Sequence, residues 1–254
     1  MISICLCTFN GEAFLRSQLE SIFKQKDSKF ISEIIICDDK STDSTLKIIE
    51  EFSKLSIKLK LIINKKRLGV IKNFEKCLSY TNYPIIIFCD QDDIWDTSKV
   101  TKILKIKELQ LKKPIALVHN AAIIDDKEEI IRNDFMEIRG GFSSEIIKNF
   151  YKNRYLGCCL IINSNLKKMI LPFPNYLSQH DIWIGIVASL YGKTFFINEN
   201  LTLYRQHKKN ASKASKNERS RILKIFKFRL IFIYNVFIIQ KRIIKFKIRN
   251  ISLT

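Results

Sequence analysis

The chain has only seven glycines and four prolines in 254 residues, and neither a GxGxxG nor a GxxxxGK[ST] pattern occurs in it. Those absences exclude a dinucleotide-binding turn and a P-loop. They also leave no Pro-, Gly- or Ser-rich linker to separate one domain from another, and no long repeat is present. The start, MISICLCTFN, lacks a basic segment followed by a long apolar one, so no secretory signal is expected and the protein is read as cytoplasmic. Seven cysteines, at positions 5, 7, 37, 77, 89, 158 and 159, show no paired metal spacing and several fall inside apolar runs. They are expected to be reduced core residues.

What is present points to a folded α/β chain. Hydrophobic residues make up 46% of the sequence, ample for a core. The net charge of +19 is unevenly placed: residues 211–254 hold twelve Lys or Arg against the single acid Glu218. A charge gathered at one end does not mark the whole chain as a nucleic-acid binder, and some of it follows a general drift toward Ile, Lys and Asn. Strand-length apolar runs (SICLC at 3–7, EIIIC at 33–37, KLKLIIN at 58–64, PIIIFC at 84–89) alternate with stretches of helical period. In those stretches Leu15, Leu19, Ile22 and Phe23 share one face, as do Leu46, Ile49 and Phe52. Ser41 and Thr42 are cap candidates for the second helix. Such alternation predicts a mostly parallel sheet covered by helices.

Ligands of open sheets bind beyond the carboxyl ends of the strands. Those ends read Thr8-Phe9-Asn10, Asp38-Asp39 and Asp90-Gln91-Asp92-Asp93. In PIIIFCDQDDIW three carboxylates follow a buried strand at once, so they must lie just past its end, where a cation or a positively charged ligand can hold them. Turn or cap roles suit Asp43 and Asp93 but account poorly for Asp39 and the 90–93 cluster together.

Five pieces, in order, resemble the bacterial glycosyltransferases of family 2, which have the GT-A fold: ISICLCTFNGEAFL at 2–15, CDDKSTDST at 37–45, CDQDDIW at 89–95, SQHDIW at 178–183 and YRQHKKN at 204–210. DQDDIW with HDxW and YRxHxxN is most similar to the branch holding rhamnosyltransferases and other surface-polysaccharide enzymes. The resemblance implies inverting transfer of a sugar from a UDP- or dTDP-sugar to a glycan or lipid-linked saccharide. It implies Asp90 and Asp92 as the DxD pair, with Asp92 the direct ligand of Mg²⁺ or Mn²⁺, and His207 as a further metal ligand or diphosphate contact. Asp39 matches the acid that contacts the nucleotide base, with Thr8 and Asn10 lining the same pocket and Asp38 structural. Asp181 matches the catalytic base, and Arg205 either assists the phosphates or is exposed to solvent. His180 stands where many relatives have Glu and either shapes the acceptor pocket or caps a turn. Trp183 offers a sugar-stacking face or a core residue, Gly157 a close approach to ligand or to a helix, and His119 a weaker candidate.

Residues 1–210 thus form the expected transferase domain and 211–254 a basic, amphipathic helical tail. The longest uncharged run of the tail, residues 230–240, is too short to span a bilayer. Basic, aromatic-rich helices suit the anionic inner surface of a membrane, where lipid-linked acceptors are displayed; packing of a terminal helical pair on the domain or on a second subunit is the alternative. Two rival functions remain, a sugar nucleotidyltransferase and a basic nucleic-acid binder. The first lacks its glycine-rich N-terminal signature here, and the second would bind independently of Asp92 and Asp181.

Overall fold

The computed structural model describes residues 1–55, 58–207 and 218–251, with side chains described for 226–244 of the last segment. Isoleucine-rich runs become strands wherever helices cover both faces of the sheet. In chain order the elements are β1 Ile2–Thr8, α1 Leu15–Phe23, β2 Ile31–Asp38, α2 Thr45–Ser53, β3 Leu59–Ile63, α3 Val70–Ser79, β4 Ile85–Cys89, β5 Ile94–Trp95 and α4 Lys99–Leu104. Then follow β6 Ile115–Ile124, β7 Ile130–Arg132, α5 Phe135–Arg139, α6 Ile146–Tyr151, β8 Leu160–Asn163, α7 Ser164–Ile170, α8 His180–Tyr191, β9 Lys193–Arg205 and α9 Glu218–Ile251.

The strands form one sheet in the order β3-β2-β1-β4-β8-β6-β9-β5, with β7 beside β6. β1 to β4 are mutually parallel, and β8 runs antiparallel between β4 and β6. Alternate side chains serve two cores. Cys5, Cys7, Ile35, Cys37, Ile86 and Phe88 face α3 and α8, while Ile4, Leu6, Ile34, Ile36, Ile85 and Ile87 face α1 and α2. All seven cysteines are free and buried.

Two features position the site. Thr8 pairs with Asp38 and Leu6 with Cys89, so the ends of β1, β2 and β4 lie level at one edge. β5 follows the 90–93 acids and pairs antiparallel with the end of β9, Ile94 with Leu203 and Trp95 with Thr202, which carries residues 204–207 back to those acids. The cap of α2 differs from expectation: the helix begins at Thr45, whose amide donates to Asp43 Oδ1 at 3.0 Å, and Ser41 and Thr42 stay in the preceding turn.

The tail is one helix rather than a pair. Phe232 and Ile239 of α9 are buried, Phe150 of α6 meets Phe232, and Arg242 lies over Trp183 of α8. Residues 211–217 and 252–254 of the expected tail, and Lys208, Lys209 and Asn210 of YRQHKKN, lie outside the described residues. Among the described residues no helix is long and apolar enough to cross a membrane.

Candidate functional site

The ends of β1 and β2 are tied together by the acids at the end of β2. Asp38 Oδ2 accepts from Thr8 Oγ1 at 2.8 Å and from Ser41 Oγ, and its Oδ1 accepts from the Ser41 amide. Asp39, 3% exposed, accepts from Asn64 Nδ2 and the amides of Leu68 and Gly69 at 2.7–2.8 Å. Its carboxylate therefore fixes the 64–69 loop against the end of β2. Gly69 has φ +82°, a conformation that favours glycine. Asn10 is exposed, and its Oδ1 accepts from the Thr42 amide. Between these loops the Arg67 guanidinium lies 3.8 Å from the centre of the Phe9 ring.

The third strand end gathers acids without matching donors. Asp90 and Asp92 are partly exposed and Asp93 is buried. Burial first, then the charges of Asp92 and Asp181, push the Asp90 carboxyl up to about 8, and burial with the charges of Asp92 and Asp90 raises Asp93. Asp93 is thus neither an exposed turn residue nor a helix cap; its Oδ1 accepts from the Arg205 amide, while Oδ2 is buried without a partner among the described residues. His207 Nε2 lies 2.8 Å from Asp92 Oδ2. Arg205 is 1% exposed, which removes the solvent-exposed reading; it donates to the carbonyls of Asp92 and Asp125 and to Glu128. Its guanidinium bonds this turn and β9 together.

Asp181 sits in the first turn of α8, buried, where the helix N-terminus favours a carboxylate. Its Oδ1 accepts from the Ile182 amide and its Oδ2 from Asn153 Nδ2 at 3.1 Å. Burial outweighs these donors and lifts the carboxyl from the usual 3.8 to about 6. Its charge helps to raise Asp90, so the two acids lie near enough to repel each other.

His180 does not cap the turn, a place taken by Gln179; it is buried and stacks on Phe74 at 4.2 Å, and burial lowers it to about 4. A Cβ on Gly157 would stand 2.9 Å from His180 Nε2, so this glycine answers the close approach of α8. Trp183 is fully buried with Nε1 donating to the Ile170 carbonyl, which makes it a core residue rather than a sugar platform. His119 is buried in β6, with Nδ1 2.7 Å from the Asn120 carbonyl.

Three residues escaped the sequence reading. Gln91 clamps the Phe9 backbone from both sides, Oε1 to the amide and Nε2 to the carbonyl. Lys99 is buried, donates to Thr202 Oγ1 and the Cys158 carbonyl, and lies over Trp95. Asn153 holds Asp181. Only the place of Gln91 between two acids was a signal; nothing in charge or period marks the others.

The carboxylates fit a divalent cation, whereas the Cys158 thiol beside them is not a donor that a hard cation prefers. Asp90, Asp93 and Cys158 each bring a ligand atom within 4.8 Å of the others, and Asp92 with His207 makes a second pair. A divalent cation held by these carboxylates would offset the repulsion that raises Asp90 and give the orphaned Asp93 oxygen a partner.

The profile of glycosyl transferase family 2 matches residues 3–168. The dTDP-rhamnosyl transferase RfbG of Shigella flexneri is 30% identical over 226 residues, covering 81% of this chain and 72% of that protein. The Escherichia coli UDP-Glc:alpha-D-GlcNAc-diphosphoundecaprenol beta-1,3-glucosyltransferase WfgD is 26% identical over 190 residues, covering 74% and 70%. Among solved structures, S. aureus TarS 1-349 in complex with UDP-GlcNAc superposes with a TM-score of 0.67 at 18% identity, over 91% of this chain and 65% of that fragment. The mannosyltransferase PcManGT of Pyrobaculum calidifontis, in complex with GDP-Man and Mn2+, gives 0.61 at 12% identity, over 94% and 73%. These likenesses carry the fold.

Proposed function

The chain belongs to glycosyl transferase family 2, and from that premise we propose that it moves a sugar, with inversion, from a nucleotide-diphosphate sugar to a glycan or lipid-linked saccharide in surface-polysaccharide synthesis. The observation that carries this reading is the nearness of under-compensated acids at the end of β4 to the buried Asp181 of α8, whose charge helps to raise Asp90. RfbG, named for dTDP-rhamnose, and WfgD, named for UDP-glucose, support a UDP- or dTDP-sugar as donor. A rhamnosyl or hexosyl group is the expected cargo. Family membership favours transfer over the two rival readings.

In this reading Thr8, Asn10 and the loop fixed by Asp39 wall the nucleotide pocket. Asp90, Asp92 and His207 would hold Mg²⁺ or Mn²⁺, with Asp93 close by Asp90. A bound cation would offset the charge that builds on the departing diphosphate. Arg205 serves the phosphates through the turn it anchors. Asp181 accepts the proton of the acceptor hydroxyl as that oxygen attacks the anomeric carbon; the bond to the diphosphate breaks and the electron pair leaves with the nucleotide. Residues 1–210 act as the transferase domain, and the basic tail, 211–254, brings it to the cytoplasmic face of the membrane.

The test is a transfer assay over UDP-, dTDP- and GDP-sugars, with and without Mn²⁺, beside calorimetry of donor binding. Wild type should transfer one of them, and Asp92→Ala should lose the Mn²⁺-dependent component of donor binding. Normal donor binding by Asp92→Ala would overturn the cation site. Absence of transfer or hydrolysis with every donor would overturn the transferase reading.

A further inference from the structure

A helix that packs on a domain needs one apolar stripe, and α9 has two. Phe232, Asn235 and Ile239 are buried against α6 and α8, with Phe228, Val236 and Ile243 partly so. Phe226, Leu230, Ile233, Phe237 and Ile244, spaced by three, four or seven residues, form a second stripe about half a turn away around the helix. They are exposed, Phe226 by 62% and Phe237 by 58%. Two exposed tyrosines flank the helix. Tyr151 of α6 lies under the Arg229 guanidinium at 5.2 Å, and the Tyr176 ring is 6.0 Å from that of Tyr234.

We propose that this outer stripe of α9, edged by Tyr151 and Tyr176, is a docking face for an anionic lipid surface. Charge selects that occupant. α9 carries ten Lys or Arg and one acid, Glu218, and Lys227 and Lys241 are exposed beside the stripe. A second copy laid on the same stripe would set those cations against their own kind. Anionic headgroups instead neutralise them while the apolar side chains enter the acyl boundary, and tyrosines suit the headgroup level.

The placement also bears on the acceptor. α9 packs along α8, whose first turn holds Asp181, and Arg242 covers Trp183 two residues further on. Docking by the outer stripe therefore sets the proposed base one helix away from the lipid, within the reach of a saccharide anchored there. This consequence rests on the proposed transfer to a lipid-linked acceptor; the docking face does not.

The full chain is sedimented with equimolar vesicles of phosphatidylglycerol and phosphatidylcholine, and with phosphatidylcholine alone. Wild type should bind the first and not the second, and high salt should weaken it. Leu230→Glu with Phe237→Glu should cut binding roughly 10- to 100-fold. Both positions face outward, so circular dichroism and the thermal midpoint should match wild type, as should donor binding. Unchanged sedimentation of the double variant, or equal binding to both vesicles, overturns the proposal. So does a wild type that stays off vesicles and forms a dimer which the double variant breaks. Vesicle binding without transfer to any acceptor would sink the transferase reading and leave the docking face standing.

Discussion

The acids at the end of β2 and those at the end of β4 and the start of α8 differ in what answers them. Asp38 and Asp39 each accept three hydrogen bonds from hydroxyl, amide or side-chain donors, and their loops are shaped by those bonds. Asp90, Asp93 and Asp181 lie in the same molecule with fewer donors than their burial demands, and each is pushed above the ordinary carboxylate range. Saturated carboxylates build walls. Unsaturated ones keep free energy in reserve that a cation or a proton can release, which makes them the better candidates for chemistry.

The largest effect should come from the unsaturated side. Asp181→Asn keeps the shape of the side chain but cannot accept a proton, so transfer should fall by roughly 10²–10⁴-fold while donor binding persists. In wild type the base works only when ionised, so kcat/KM should rise with pH and level off above about 6, the value to which burial lifts Asp181. The stability sign runs opposite. A folded-state value above the ordinary 3.8 means that the ionised carboxylate costs stability above about pH 6, and that the cost fades as pH falls through the window below it. Asp181→Asn should therefore be more resistant to urea at pH 7, by at most about 3 kcal/mol. Near-normal turnover in this variant would erase the contrast and remove the proposed base.

Asp38→Ala tests the saturated side. It leaves the Thr8 and Ser41 donors unanswered at the edge of the sheet, and should lower the unfolding free energy by roughly 2–4 kcal/mol in urea titrations. A variant as stable as wild type would mean that the bonds at this strand end are not what holds the loop.

Much of this contrast was legible in the sequence, and the reason is local. Strand and helix periods are written residue by residue, so β1, β2, β4 and the acids at their ends could be placed from ISICLCTFN, EIIICDD and PIIIFCDQDD alone. The reversal at β8 and the pairing of β5 with β9 could not, because they join residues distant in the chain: Ile87 with Ile161, Val118 with Leu160, and Ile94 with Leu203. For the same reason YRQHKKN could be matched to a family but not seen to bury Arg205 under the 90–93 turn. The saturation of Asp39 was invisible too: two of its donors are backbone amides, at Leu68 and Gly69, which no side-chain pattern reveals.

His207→Ala should act in the same direction as Asp92→Ala but by a smaller step, since a neutral imidazole contributes less to cation binding than a carboxylate. Titration of donor with and without Mn²⁺ reads the difference. Identical curves for variant and wild type would confine His207 to its contacts with Asp92 and Phe14.

The smallest expected effect sharpens the contrast most, because it changes the saturation of one acid without removing it. Asn153 Nδ2 donates to Asp181 Oδ2 at 3.1 Å, and that bond holds the carboxyl below where burial alone would put it. Asn153→Ala deletes the donor and keeps the base. Protonation of Asp181 then becomes easier, so the rising limb of kcat/KM against pH should move upward by about half a unit to one unit, the worth of a single hydrogen bond to a charged group. The plateau at high pH should fall only a few-fold, since the ionised carboxylate regains its role once the proton is gone. Asn153 Oδ1 also accepts from the Tyr155 amide, so a purely structural defect would lower the plateau and leave the midpoint in place. Asn153→Ser, which keeps a short hydrogen-bonding side chain, should restore the midpoint incompletely. A midpoint that stays fixed in Asn153→Ala would show that Asn153 does not tune Asp181, leaving burial and the Ile182 amide to set it.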